Sequence, residues 1–87
     1  MPILEILVTH DVGLHARPAA QLVQTAQRYD AEINVGYAGR QANAKSLISV
    51  MALGANQGAQ ISIDAQGEDA DQALQALKTL IEHDFET

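Results

Sequence analysis

Gly13-Leu14-His15-Ala16-Arg17-Pro18-Ala19-Ala20-Gln21-Leu22-Val23-Gln24-Thr25-Ala26 is the stretch in which the chain changes period. Before it, residues 3–8 (Ile-Leu-Glu-Ile-Leu-Val) form a short aliphatic run that reads as a strand, followed by a polar connection ending at Gly13. From Ala16 the apolar positions Ala19, Leu22, Val23 and Ala26 follow the spacing of one helix face, with Gln21, Gln24, Gln27 and Arg28 on the other. Tyr29-Asp30 closes that helix. Its start has chemical character. The first N–H groups of a helix have no partner inside it, and the helix dipole favours an anion there. Arg17 adds a forked cation. Pro18 lacks an N–H, which costs little in a first turn. His15, placed just ahead, is a candidate nucleophile: neutral imidazole is abundant near neutral pH, and a helix N-terminus beside an arginine disfavours imidazolium.

Working outward, Glu32 to Tyr37 alternates, with Ile33, Val35 and Tyr37 on one side. Ala38-Gly39 reads as a tight turn into a return strand over 40–44, giving a hairpin. Ser46 fits a helix N-cap and Gly54 a C-terminal stop, so Leu47 to Leu53 is expected to form a helix of about two turns. That segment is nearly all apolar, more than so short a helix can bury, so part of it is expected on the surface. Asn56-Gln57-Gly58 is a loop. Ile61, Ile63 and Ala65 alternate with polar residues in a last strand. Gly67-Glu68-Asp69 opens a final helix, its acids placed where the dipole favours them, with a stripe of Ala70, Ala73, Leu74, Leu77, Leu80 and Ile81. Residues 83–87 read as a fraying tail. The order is βαββαβα, an α+β, open-faced two-layer sandwich with helices on one face of the sheet, in a single domain spanning residues 1–87.

Composition narrows the function. Hydrophobic residues are 47% of the chain but aromatics only 3%, so the core is aliphatic. There is no cysteine, hence no disulfide or thiolate metal site. The net charge of −6 argues against general binding to nucleic acid or anionic membranes. No signal peptide and no run of about 20 apolar residues is visible, so a cytoplasmic protein is expected, without membrane insertion. Acids crowd the end of the chain, whereas Arg17, Arg28, Arg40 and Lys45 lie in the middle. His10 and His83 show that a histidine alone means little; only His15 has the surrounding chemistry.

The stretch from Gly13 to Ala19 resembles the active-site signature of the HPr family, the histidine phosphocarriers of bacterial phosphotransferase systems. Asn43-Ala44-Lys45-Ser46-Leu47-Ile48-Ser49-Val50-Met51-Ala52-Leu53-Gly54 resembles that family's second signature, and Gly58 and Gly67 fall where the family places glycines. The likeness runs from the first strand through the last helix. It implies a four-stranded antiparallel sheet in the order 1-4-2-3 with three helices on one face. It implies that His15 accepts a phosphoryl group on Nδ1 from phosphorylated enzyme I and hands it to a sugar-specific enzyme IIA. Arg17 would stabilise the phosphoryl group, with Ala16 and Pro18 forming the helix N-terminus beneath it. Such a carrier is not an enzyme in the turnover sense and needs neither metal nor organic cofactor; a monomer is expected.

The resemblance also implies that Leu47, Ile48 and Met51 dock the partner enzymes. In Gram-positive relatives the serine matching Ser46 is phosphorylated by a dedicated kinase, HPr kinase/phosphorylase, in catabolite repression, which brings in a transcriptional regulator as a further partner. Asn43, Lys45, Ser46, Val50 and Met51 fit that pattern, whereas Leu47-Ile48-Ser49 replaces the typical Ile-Met-Gly. The N-cap and regulatory readings of Ser46 therefore both stand. Some members ring the patch with lysines, where this chain has Gln24, Gln27 and Ser49; weaker electrostatic steering is expected. Two other functions share most of these features: a nitrogen-type regulatory phosphotransferase carrier, and a non-catalytic regulator of a transcription factor switched through Ser46. The second would not need His15.

Overall fold

The computed structural model describes residues 3–8, 16–83 and 85. Its elements are β1 (Ile3–Leu7), α1 (Ala16–Ala26), β2 (Glu32–Tyr37), β3 (Arg40–Asn43), α2 (Leu47–Ala52), β4 (Gln60–Gln66) and α3 (Ala70–Glu82). The four strands form one antiparallel sheet in the order β1-β4-β2-β3, with the three helices on one face. The period-2 segments pair so that their aliphatic side chains share that face. Val35 lies opposite Ile63 and Ala42, Ile33 opposite Ala65, and Ile6 opposite Ile61. A slip of one residue in any pair would turn the apolar set outward, which fixes the register.

The open face carries Glu32, Asn34, Gln41, Asn43, Gln60, Ser62, Asp64 and Gln66 among its outward positions. Gly36 sits there opposite Ser62, and a Cβ at Gly36 would come within 2.6 Å of the Ser62 hydroxyl oxygen. In β1 only Leu4 and Ile6 turn toward the helices, joined by the buried Val8; Ile3 and Leu7 stay exposed on the open face.

Against the sheet pack Ala19, Leu22, Val23 and Ala26 of α1 and the six stripe residues of α3, all buried. Fully burying a Leu or Ile contributes roughly 1.5–3 kcal/mol, and Leu22, Ile33, Ile61, Ile63, Leu77 and Ile81 are all in that state. Helix α1 stops short of Tyr29. Its last turn tightens, with the N–H groups of Arg28 and Tyr29 donating to the Thr25 and Ala26 carbonyls. The hairpin turn takes positive φ at both Ala38 (53°) and Gly39 (80°), the twist a two-residue hairpin needs.

Two features differ from expectation. Phe85 is no fraying tail: it is 4% exposed within the core cluster, and its N–H donates to the Leu80 carbonyl at 2.8 Å. The only phenylalanine fills the end of an otherwise aliphatic core. Asp69, the N-cap residue of α3, does not cap its own helix. Its two carboxylate oxygens instead accept the N–H groups of Asp30 and Ala31, each at 2.9 Å. Close packing at the same place leaves room only for glycine at 67, where a Cβ would meet the Ala31 Cα at 3.0 Å and φ is 142°. Asp69 thus clasps the entry of β2 to the start of α3.

Hydrogen bonds to a charged acceptor contribute about 1.5–3 kcal/mol, so Asp69→Ala is expected to cost about 2–3 kcal/mol in urea unfolding. Glu68→Ala, an exposed neighbour, should stay within about 0.5 kcal/mol. Equal effects would contradict the clasp.

Candidate functional site

His15, Gly13 and Leu14 lie outside the described residues. What the structure describes is the platform that follows them. Helix α1 begins at Ala16, so Ala16 and Arg17 form its first turn and both are exposed, whereas Pro18 and Ala19 are buried. The buried proline pins the helix start against the body without sacrificing a hydrogen bond. Arg17 is left on the solvent side, at the positive end of an 11-residue helix.

Helix α2 is the second part. Ser46 is its N-cap, extended in backbone, with its side chain accepting the Ser49 N–H at 3.4 Å. Val50 alone of its six residues is buried. Ile48 is 82% exposed, and Leu47 and Met51 are each 40% exposed. These three make an apolar surface. The surplus of hydrophobic residues read in the sequence has its physical outcome here: one side chain reaches the core, Leu53 follows it just beyond the helix, and the rest face outward. Gly54, with φ of 70°, ends the helix, its N–H bonding the Met51 carbonyl.

The two parts are joined. Helix α2 packs beside α1. At its beginning, the Lys45 ammonium donates to the Tyr29 carbonyl at 2.6 Å, and the Gln27 side-chain amide donates to the Lys45 carbonyl at 3.2 Å. Just beyond its end, the loop pairs with Val8: the Gly58 N–H donates to the Val8 carbonyl, and the Val8 N–H to the Ala59 carbonyl. Val8 is the described residue that leads into the segment carrying His15, and Ala16 is the one that leaves it. Helix α2 therefore connects the far end of α1 to the strand end from which the His15 segment departs.

The cations do not form a free ring around this surface. Of the four mid-chain cations, Lys45 is tied to the Tyr29 carbonyl and Arg40 reaches the Ala52 and Leu53 carbonyls. Gln24 and Gln27 are exposed and Ser49 is half-buried. Arg40 and Lys45 were legible in the sequence only as charges; their carbonyl partners are 12 to 16 residues away. Among the described residues there is no cluster of His, Asp and Glu able to hold a metal. Among the described residues no helix is long and apolar enough to cross a membrane. A separate groove between α1 and α3, lined by Thr25, Tyr29, Ala76, Leu80 and His83 among others, includes neither Arg17 nor the exposed residues of α2.

Comparison with known proteins places this platform. The crystal structure of HPr-C-His from Thermoanaerobacter tengcongensis has the same fold with a TM-score of 0.95 at 41% identity, covering 98% of this chain and 96% of that one. An HPr dimer from the same organism gives a TM-score of 0.80 at 40% identity with complete coverage of both chains (100% each). The class is thus that of the small phosphocarriers. The family described as PTS HPr component phosphorylation site matches residues 4–83. A phosphocarrier protein HPr from Xylella fastidiosa (strain 9a5c) is 44% identical over 81 residues, 93% of this chain and 91% of that protein. The chain belongs to the HPr family, phosphocarriers that work with the enzymes of the phosphotransferase system.

Because Ile48 is solvated and Val50 is not, the two should separate in stability. Ile48→Ser is expected to shift unfolding by no more than about 0.5 kcal/mol, whereas Val50→Ala should cost about 1–3 kcal/mol. Chemical denaturation of the two variants checks the pair.

Proposed function

We propose that this protein carries a phosphoryl group on His15, accepted from phosphorylated enzyme I and delivered to a sugar-specific enzyme IIA. The observation that carries the reading is the exposed first turn of α1, with Arg17 on its surface and the buried Pro18 holding it in place. In the forward step the lone pair of a neutral imidazole nitrogen (Nδ1, as the family resemblance implies) attacks phosphorus. A bond from His15 to phosphorus forms as the bond from phosphorus to enzyme I breaks. The reverse exchange with enzyme IIA restores the free imidazole, so no water and no cofactor is consumed. Arg17 and the N–H groups of the first turn, Ala16 among them, stabilise the phosphoryl oxygens. The carrier must release its cargo, and an exposed arginine on a helix surface is a clamp that can swing away.

Leu47, Ile48 and Met51 are the docking surface for both enzymes. Their exposure supports that role, because solvated apolar side chains gathered on one short helix mark an interaction site. Ser46 is the N-cap of that helix. A phosphate there would add charge and bulk beside the apolar patch and weaken docking, which is how an HPr kinase would switch the carrier off. The whole chain, residues 1–87, acts as one cytoplasmic domain. It works as a monomer, since a carrier must present one face to successive partners; the dimer known for the T. tengcongensis protein makes sedimentation the appropriate check.

Phosphotransfer from enzyme I tests the central residue. The wild-type protein should gain one acid-labile phosphate, and His15→Ala should gain none while keeping the wild-type circular dichroism spectrum. Arg17→Ala should remain folded and slow the transfer by about 100- to 1000-fold, the range for removing one donor from a transition-state clamp. Transfer at the wild-type rate would remove Arg17 from the mechanism. Incubation with ATP and an HPr kinase, followed by intact mass, decides Ser46: a phosphate absent from Ser46→Ala supports the switch, and an unmodified wild-type protein leaves Ser46 an N-cap only.

A further inference from the structure

Helix α2 sends a single side chain into the core, and Leu47 and Met51 are covered only in part. Of its six residues only Val50 is buried, and the buried Leu53 lies one position beyond the helix. Two anchors one turn apart fix how deep the helix sits and leave its roll about the line joining them to the partly covered side chains and to the polar groups at its ends. Its termini are gripped by polar groups. At the start stand the Lys45 and Gln27 bonds to the end of α1. At the end, the guanidinium of Arg40, from the first residue of β3, donates through Nη2 to the Leu53 carbonyl at 2.6 Å and through Nη1 to the Ala52 carbonyl at 3.4 Å. The carbonyls in the last turn of a helix have no partner within it, and the negative end of the dipole faces them. A planar, forked cation spanning two successive carbonyls fixes direction as well as distance.

We propose that Arg40 is a positioning residue for phosphotransfer: by bridging the Ala52 and Leu53 carbonyls it sets the roll of α2, and so the presentation of Leu47, Ile48 and Met51 to the partner enzyme. The proposal rests on the docking role of α2 given above. Arg40 acts through the backbone of the helix and not as a charge offered to the partner, because its donors are already directed inward.

The test compares Arg40→Lys and Arg40→Met, using enzyme I as phosphoryl donor and amide hydrogen exchange of the free protein. In both variants exchange at Leu53 and Gly54, whose N–H groups close the end of α2, should speed up relative to strand β4. KM for the carrier should rise about tenfold with kcat unchanged, the factor that corresponds to losing one charge-assisted hydrogen bond. Arg40→Lys keeps the charge but cannot span two carbonyls, so it should resemble Arg40→Met. A KM restored by lysine, or a rise that disappears with added salt, would show that charge alone matters and overturn the proposal. Unchanged exchange at Leu53 and Gly54 would overturn it as well. If the wild-type protein takes no phosphate from enzyme I, the carrier reading itself fails, and the exchange measurement still decides whether Arg40 holds the helix.

Discussion

A six-residue helix that buries one of its own side chains cannot hold itself in place, and this constraint organises the functional half of the molecule. Helix α2 is too short for intrinsic stability. It persists because its N-cap and the Arg40 bridge satisfy groups that a short helix leaves open, while the Lys45 and Gln27 bonds tie the residue before its N-cap to the turn that follows α1. The benefit is a surface of Leu47, Ile48 and Met51 that the core does not need.

The remainder of the fold supplies a rigid base for that surface. Four strands and two longer helices enclose an aliphatic core in which register is enforced by burial. The Asp69 carboxylate ties the entry of β2 to the start of α3. The pairing of Val8 with Ala59 and Gly58 ties the exit of β1 to the loop beyond α2. The segment that contains His15 therefore leaves from a fixed point at Val8 and re-enters at a helix start anchored by the buried Pro18 and Ala19. This suits the proposed relay, in which one nitrogen is offered to two different enzymes in turn.

The sequence made the periodic features legible and missed the long-range polar ones. Alternation in β2 and β4 and the stripes of α1 and α3 appear as they were read, because burial of one face is a local pattern. The excess of apolar residues over 47–53 correctly forecast exposure, a matter of counting side chains against the face of a short helix. The strand order 1-4-2-3 came from the family likeness and not from periodicity, since alternation does not say which strands are neighbours. Phe85 carries no local signal of burial: its immediate neighbours in sequence are acidic, and a left-handed backbone (φ 62°) brings the ring back to the core. Asp69 reads as a dipole partner of its own helix, yet the N–H groups that donate to its carboxylate lie 38 and 39 residues away. Such partners leave no mark on local spacing. Of the candidate site, the sequence supplied Arg17, Pro18 and the α2 residues, and the structure added the brackets that hold them.

In the proposed carrier one face, made by the first turn of α1 and the outer side of α2, receives the partner that serves His15. Amide chemical shifts of isotope-labelled protein, followed while unphosphorylated enzyme I is added, test it most directly. The expected changes concentrate at Ala16, Arg17, Leu47, Ile48 and Met51, with Asn34, Gln41 and Ser62 on the open sheet face unmoved. Shifts confined to that sheet face, or to the groove between α1 and α3, with α2 unaffected would contradict the claim.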